Sequence, residues 1–78
     1  MREAIIYKQD GCDLCSEVKR VLKKKLFTLR EREADSLIKG HDQNMDAMAQ
    51  LAIQNMELPL VLIEGEWRMP REVIKWGE

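Results

Sequence analysis

The chain has 78 residues, 35% of them charged, with 13 Lys and Arg against 14 Asp and Glu for a formal net charge of -1. A chain this short buries only about 60% of its unfolded surface and has room for one compact core, and its balanced charge excludes a global attraction to nucleic acid or an anionic membrane surface. No window of about 18 apolar residues exists, and Met1-Arg2-Glu3 leads straight into a strand rather than a signal peptide. The expectation is one domain over residues 1–78, in the cytoplasm and away from membranes.

Within 3–8, Ile5, Ile6 and Tyr7 run continuously apolar, the mark of a strand covered on both faces and hence central in its sheet. The polar turn Lys8-Gln9-Asp10-Gly11 follows, and then Cys12-Asp13-Leu14-Cys15 with the chain's only two cysteines. From Leu14, apolar residues recur at Val18, Val21, Leu22 and Leu26 with Lys19, Arg20, Lys23 and Lys24 opposite, which predicts a helix over 13–25. Leu26-Phe27-Thr28-Leu29 and then Arg30-Glu31-Arg32-Glu33 read as a second strand with a solvated later half, at a sheet edge. The stretch 35–42, containing Gly40, reads as a turn region. Met45, Met48, Ala49, Ala52 and Met56 predict an amphipathic helix over 43–55, capped by Asp42 or Asn44, with the methionines on its core face. Leu58-Pro59-Leu60-Val61-Leu62-Ile63 is the strongest strand signal, and Glu64-Gly65 turns it tightly into Glu66-Trp67-Arg68-Met69. Pro70 opens a short last helix that packs Val73, Ile74 and Trp76 inward. The order β-α-β-α-β-β-α predicts an α/β fold, a four-stranded mixed sheet flanked by three helices.

The chemistry concentrates on the two thiols. On a helix, residues i and i+3 bring their Cα atoms to about 5 Å, inside the roughly 4.4 to 6.8 Å that a disulfide tolerates. Cys12 and Cys15 can therefore close and reopen a ring with little backbone movement. Two closely spaced cysteines in a cytoplasmic chain point to catalysis or metal binding rather than a structural staple; the plainer reading is two buried small hydrophobes. Zinc normally takes four ligands, and His41, a solvated loop histidine by its polar surroundings, is the only other soft candidate. The basic cluster Lys19, Arg20, Lys23, Lys24 and Lys25 reads as a solvated helix face, or as a means of steering an acidic partner.

Three matches make the chain resemble the glutaredoxin branch of the thioredoxin superfamily over essentially its whole length. They are Cys12-Asp13-Leu14-Cys15 between the first strand and first helix, Leu58-Pro59 before an apolar strand, and Ile63-Glu64-Gly65-Glu66 as the hairpin after it. With Gly11 directly before the motif, the chain is similar to a group of small bacterial glutaredoxin-like proteins. The resemblance implies a thioredoxin-like fold with a cis Leu58-Pro59 bond facing the cysteines. It also implies a thiol-disulfide oxidoreductase with Cys12 as nucleophile and Cys15 as resolving thiol, its substrate site shaped by Gly11, Asp13, Leu14, Leu58 and Pro59. The expected partners are disulfide-containing proteins or small molecules and a reductase, acting on a monomer. Asp13 and Leu14 stand where the family usually has proline and an aromatic, and Gln9, with Lys8 one place away, where it has a basic residue. Trp67-Arg68-Met69-Pro70-Arg71 replaces its Gly-Gly-Asp glutathione-binding turn, so no cofactor is expected, glutathione being the one the family offers. Two further readings of the same cysteines are an iron-sulfur or metal carrier, in which two chains share a cluster, and a non-catalytic interaction domain on this scaffold.

The thiolate is the reactive form, and a free cysteine titrating near 8.5 is mostly protonated at neutral pH. The free N–H groups and positive end of the first helix favour negative charge at Cys12 by about 0.3 to 1 kcal/mol, or about 2 where partly buried. Asp10 and Asp13 oppose this by on the order of 1 to 2 kcal/mol at a separation of about 7 Å. The near cancellation predicts a moderately activated thiolate and a reducing dithiol.

Overall fold

The computed structural model describes residues 2–77, which form four strands and four helices. In chain order these are β1 (Glu3–Lys8), α1 (Asp13–Lys24), β2 (Thr28–Glu33), α2 (Ala34–Ile38), α3 (Met45–Ile53), β3 (Leu60–Ile63), β4 (Glu66–Arg68) and α4 (Pro70–Lys75). The strands make one mixed sheet in the order β2-β1-β3-β4, an α/β arrangement compatible with a thioredoxin-like fold. β1 is central, as its apolar run implies. It pairs in parallel with β2 from Glu3↔Thr28 to Lys8↔Glu33, and antiparallel with β3 from Ala4↔Ile63 to Tyr7↔Leu60. β2 lies at the edge, and all its residues but Leu29 are exposed. No helix among the described residues is long and apolar enough to cross a membrane.

Because side chains alternate along a strand, β1 feeds two cores. Ala4 and Ile6 join Val61 and Ile63 beneath α1 and α4, where Val18, Val21, Leu22 and Val73 close that side. Ile5 and Tyr7 turn to the other face and meet Leu60, Trp67, Ala34 and Leu37 of α2, and Ala47 and Leu51 of α3. Each fully buried Val, Leu or Ile contributes about 1.5–3 kcal/mol relative to its exposure. The β3–β4 hairpin turns at Glu64 and Gly65, both at positive φ (51° and 84°), the type I′ pair whose twist matches that of the strands. Pro70 opens α4, and Ile74 and Trp76 pack beside Val73.

The structure corrects the sequence reading in three places. Leu26 is 84% exposed rather than on the buried face of the first helix, and β2 starts two residues after it. The cause is the helix terminus: Leu26 is left-handed (φ 65°), Leu26 N–H donates to Lys23 O and Phe27 N–H to Leu22 O, the two bonds of a Schellman cap, and this throws Leu26 off the helical face. Second, 35–42 is not all turn. Ala34 and Leu37 bury one side of the short helix α2, which makes four helices instead of three, and Gly40 closes it with the same cap. Third, Met45, Met48 and Met56 are exposed (78%, 46% and 58%), and α3 instead buries Ala47, Gln50 and Leu51. α3 is apolar on most of its circumference, so two stripes of helical spacing compete, and the one that can shelter its polar groups against the neighbouring loop is the one that faces inward.

Candidate functional site

Residues 9–12 turn the chain from the end of β1 into α1. Gly11 makes that turn at φ 75°, where a Cβ would have open space around it, so glycine is favoured by the backbone angle rather than by crowding. Cys12 is extended (φ -93°, ψ 107°) and is the N-cap of α1. Its Sγ accepts the Cys15 N–H at 3.1 Å, the position an N-cap oxygen normally fills. Cys12 and Cys15 are joined in a disulfide with their Cα atoms 5.2 Å apart. Their burial differs: Cys12 is half-buried, whereas Cys15 is 3% exposed. A reactant arriving from solvent therefore meets Cys12 first.

The Leu58–Pro59 peptide is cis, and the Leu58 carbonyl oxygen lies 4.0 Å from Cys12 Sγ. α3 holds this loop in place. Gln54 Nε2 donates to Glu57 O at 2.9 Å and Pro59 O at 3.2 Å, while its own Oε1 accepts from Gln50 Nε2 at 2.8 Å. Both glutamines are buried, and these bonds satisfy amides that would otherwise be costly there. At the other end of α3, Asn44 caps the helix by accepting the Ala47 N–H at 3.1 Å and donates through Nδ2 to the Tyr7 hydroxyl at 3.2 Å. The loop before β3 and the end of β1 are thus tied to one helix.

Gly11, Cys12, Asp13 and Cys15 line a cavity of about 190 Å³ together with Lys8, Gln9, Asp10, Ser16 and Lys19. Leu14, Leu58 and Pro59 do not line it: Leu14 is half-buried on α1, Leu58 packs into the α2–α3 core and Pro59 is buried. Lys8 and Lys19 bring two positive charges to the cavity, and both are answered by the edge strand. Lys8 Nζ lies 3.2 Å from Glu33 and 3.9 Å from Glu31, and Lys19 Nζ lies 2.9 Å from Glu31. The hydrogen bond and then the charge of Glu33 hold Lys8 above the usual ammonium range; the hydrogen bond from Lys19 holds Glu31 below the usual carboxylate range.

Several of these residues escape the sequence. Lys19 belongs by spacing to a basic helix face, and nothing local shows that it meets Glu31. Gln50 and Gln54 interrupt the hydrophobic pattern, so no periodicity marks them as buried. For Lys8 the one signal is its place beside Gln9, the position at which the glutaredoxins that the sequence resembles carry a basic residue. His41 is exposed in the turn after α2, and no group of three or more His, Cys, Asp or Glu side chains among the described residues is placed to hold a metal ion. Comparison with protein-family models, curated proteins and solved structures finds no match for the chain.

Proposed function

We propose that the chain is a glutaredoxin-like thiol-disulfide oxidoreductase of the thioredoxin superfamily, with Cys12 as nucleophile and Cys15 as resolving thiol. The observation that supports this reading is the Cys12–Cys15 disulfide at the first turn of α1, with its more exposed cysteine at the helix N-cap. In the reduced protein the Cys12 thiolate attacks one sulfur of a substrate disulfide. That S–S bond breaks, a mixed disulfide forms on Cys12, and the first substrate thiolate leaves and takes up a proton. Cys15, having lost its proton, attacks Cys12 Sγ, releases the second substrate thiolate and closes the Cys12–Cys15 ring. Two electrons and two protons pass to the substrate, and a reductase returns the pair to the dithiol.

The Cys15 N–H that reaches Cys12 Sγ favours the thiolate as a charge-assisted donor, and the positive end of α1 adds to it. Asp10 and Asp13 oppose it from the rim of the same cavity. A thiolate stabilised only moderately belongs to a reducing dithiol rather than a strong oxidant. The test is turnover of a small model disulfide by the single-serine variants. Cys12→Ser is expected to abolish it, and Cys15→Ser to accumulate a mixed disulfide visible by mass. Turnover by both variants at the wild-type rate would rule the reading out.

A further inference from the structure

The Cys12 cavity, at about 190 Å³, is smaller than the roughly 300–1,000 Å³ of sites that enclose a small molecule. It has room for an attacked sulfur and little more, so a disulfide that reaches Cys12 leaves its flanking groups on the rim. That rim carries charge. Asp10 and Asp13 are both exposed there, and neither enters an ion pair among the described residues. The two cations of the same cavity are less exposed, at 23% for Lys8 and 28% for Lys19, and Glu33 and Glu31 of β2 already match them. On Lys8 the hydrogen bond and charge of Glu33 act most strongly, the charge of Glu31 less and that of Asp10 least. Two ammonium groups thus meet four carboxylates, and the excess falls on the exposed pair beside Cys12.

Charges on the surrounding elements do not offset that excess. Glu17 pairs with Arg20 on α1, and Glu57, in the loop before β3, pairs with Arg71. Arg32 lies on the other face of the sheet, beside His41 and Asp42. Lys23 and Lys24 stand in the last turn of α1, with Lys25 and Arg2 next to them. A 12-residue helix puts these cations about 18 Å from Cys12, roughly two Debye lengths at physiological salt. We infer that the substrate of Cys12 is a protein disulfide flanked by lysine or arginine side chains, selected by Asp10 and Asp13. The inference rests on the oxidoreductase reading above. The cysteine pair fixes where the reaction occurs, and the two aspartates sort what approaches it, since opposite charge raises the rate of encounter and like charge lowers it. An extended segment needs only to lie across so small an opening, whereas a small ligand would have to be enclosed. Two electrons pass to the basic segment, which leaves as two thiols, and the Cys12–Cys15 disulfide forms.

The test mixes the reduced full chain with disulfide-linked dimers of capped pentapeptides whose central cysteine is flanked by lysine, glutamine or glutamate. Remaining dithiol is counted by mass after alkylation. Each rate is divided by that of dithiothreitol with the same dimer, which removes the intrinsic reactivity of the disulfide. The normalised rates are expected to fall in the order lysine, glutamine, glutamate, spanning about tenfold at roughly 20 mM ionic strength and closing to within about twofold at roughly 0.5 M. Cystamine, a small diamine disulfide treated the same way, is expected to react severalfold more slowly than the lysine dimer. The double variant Asp10→Asn, Asp13→Asn is expected to lose most of the span at low salt. Glu64→Gln, which removes an equal charge at the hairpin on the far end of the sheet, is expected to keep it. A change in thiolate fraction moves all the rates together, so their ratio reports selection rather than activation. Equal normalised rates at low salt, a glutamate dimer that reacts fastest, cystamine as fast as the lysine dimer, or an unchanged span in the double variant overturns the inference alone. No reaction with any of these disulfides overturns the oxidoreductase reading as well.

Discussion

At Cys12 the local chemistry pulls in two directions. The Cys15 N–H and the end of α1 favour a negative sulfur, while Asp10 and Asp13 share its cavity and disfavour one. Lys8 and Lys19 would shift this balance were they free, but Glu33 and Glu31 hold them. Removing one of the acidic neighbours should therefore be felt at the sulfur. Asp13→Asn is expected to speed alkylation of the reduced protein at neutral pH by about three- to tenfold, since a like charge on the same cavity is worth on the order of 1 kcal/mol. An unchanged rate would mean that solvent screens Asp13 from Cys12. The cysteine pair itself is legible in the sequence because its geometry is local, one helical turn. The Lys19–Glu31 contact is not legible, because its partners lie on different elements brought together only by the parallel β1–β2 register.

Among the elements, α3 separates pattern from placement. Two stripes of helical spacing run along it, and the methionine stripe, the more conspicuous one, faces solvent. The inward stripe carries Leu51 and Gln50, and Gln50 donates to Gln54 at the C-cap, which in turn donates to Glu57 O and Pro59 O. Met48→Gln is thus expected to cost less than about 0.5 kcal/mol, as surface substitutions do, whereas Leu51→Ala should cost about 2–4 kcal/mol through lost burial and a cavity. Urea unfolding of the two variants measures both. Equal losses would mean that the methionine stripe is buried after all. α1 shows the same limit at its end. Val18, Val21 and Leu22 follow the sequence pattern inward, but Leu26 continues the spacing past the cap and is expelled by a left-handed backbone that no apolar periodicity records.

In the molecule as a whole, the Lys8–Glu33 and Lys19–Glu31 contacts fasten the edge strand to β1 and α1, and they set the pH range over which that fastening holds. Glu31 is depressed when folded, chiefly by the hydrogen bond from Lys19, so its contribution is present above its ordinary value of 4.5 and is lost as pH falls through the lower folded value. Lys8 is raised when folded, chiefly by the hydrogen bond to Glu33, so its contribution is complete below its ordinary 10.5 and is lost as pH rises through the higher folded value. Both are in place between these limits. Glu31→Gln is expected to lower stability at neutral pH by no more than about 1 kcal/mol, because the pairs are solvent-exposed. The difference should vanish in strong acid and shrink in high salt. Urea midpoints across pH check this, and a difference that stays constant into strong acid would show that Glu31 acts by some means other than its charge.

By itself the sequence determined what short-range physics controls: the one-turn cysteine pair, the central apolar strand, the tight hairpin turn at Glu64-Gly65, and the proline that opens α4. It also determined the order of strands that yields a four-stranded mixed sheet, though with one helix fewer than the structure has. Only the tertiary structure decided which stripe of α3 is buried, that 34–38 forms a helix, that Leu26 is shed at a cap, and that two buried glutamines hold the loop beside Cys12. The reason is that each of these depends on which surface another element offers across the sheet, and a residue's own neighbours in the chain carry no record of that surface.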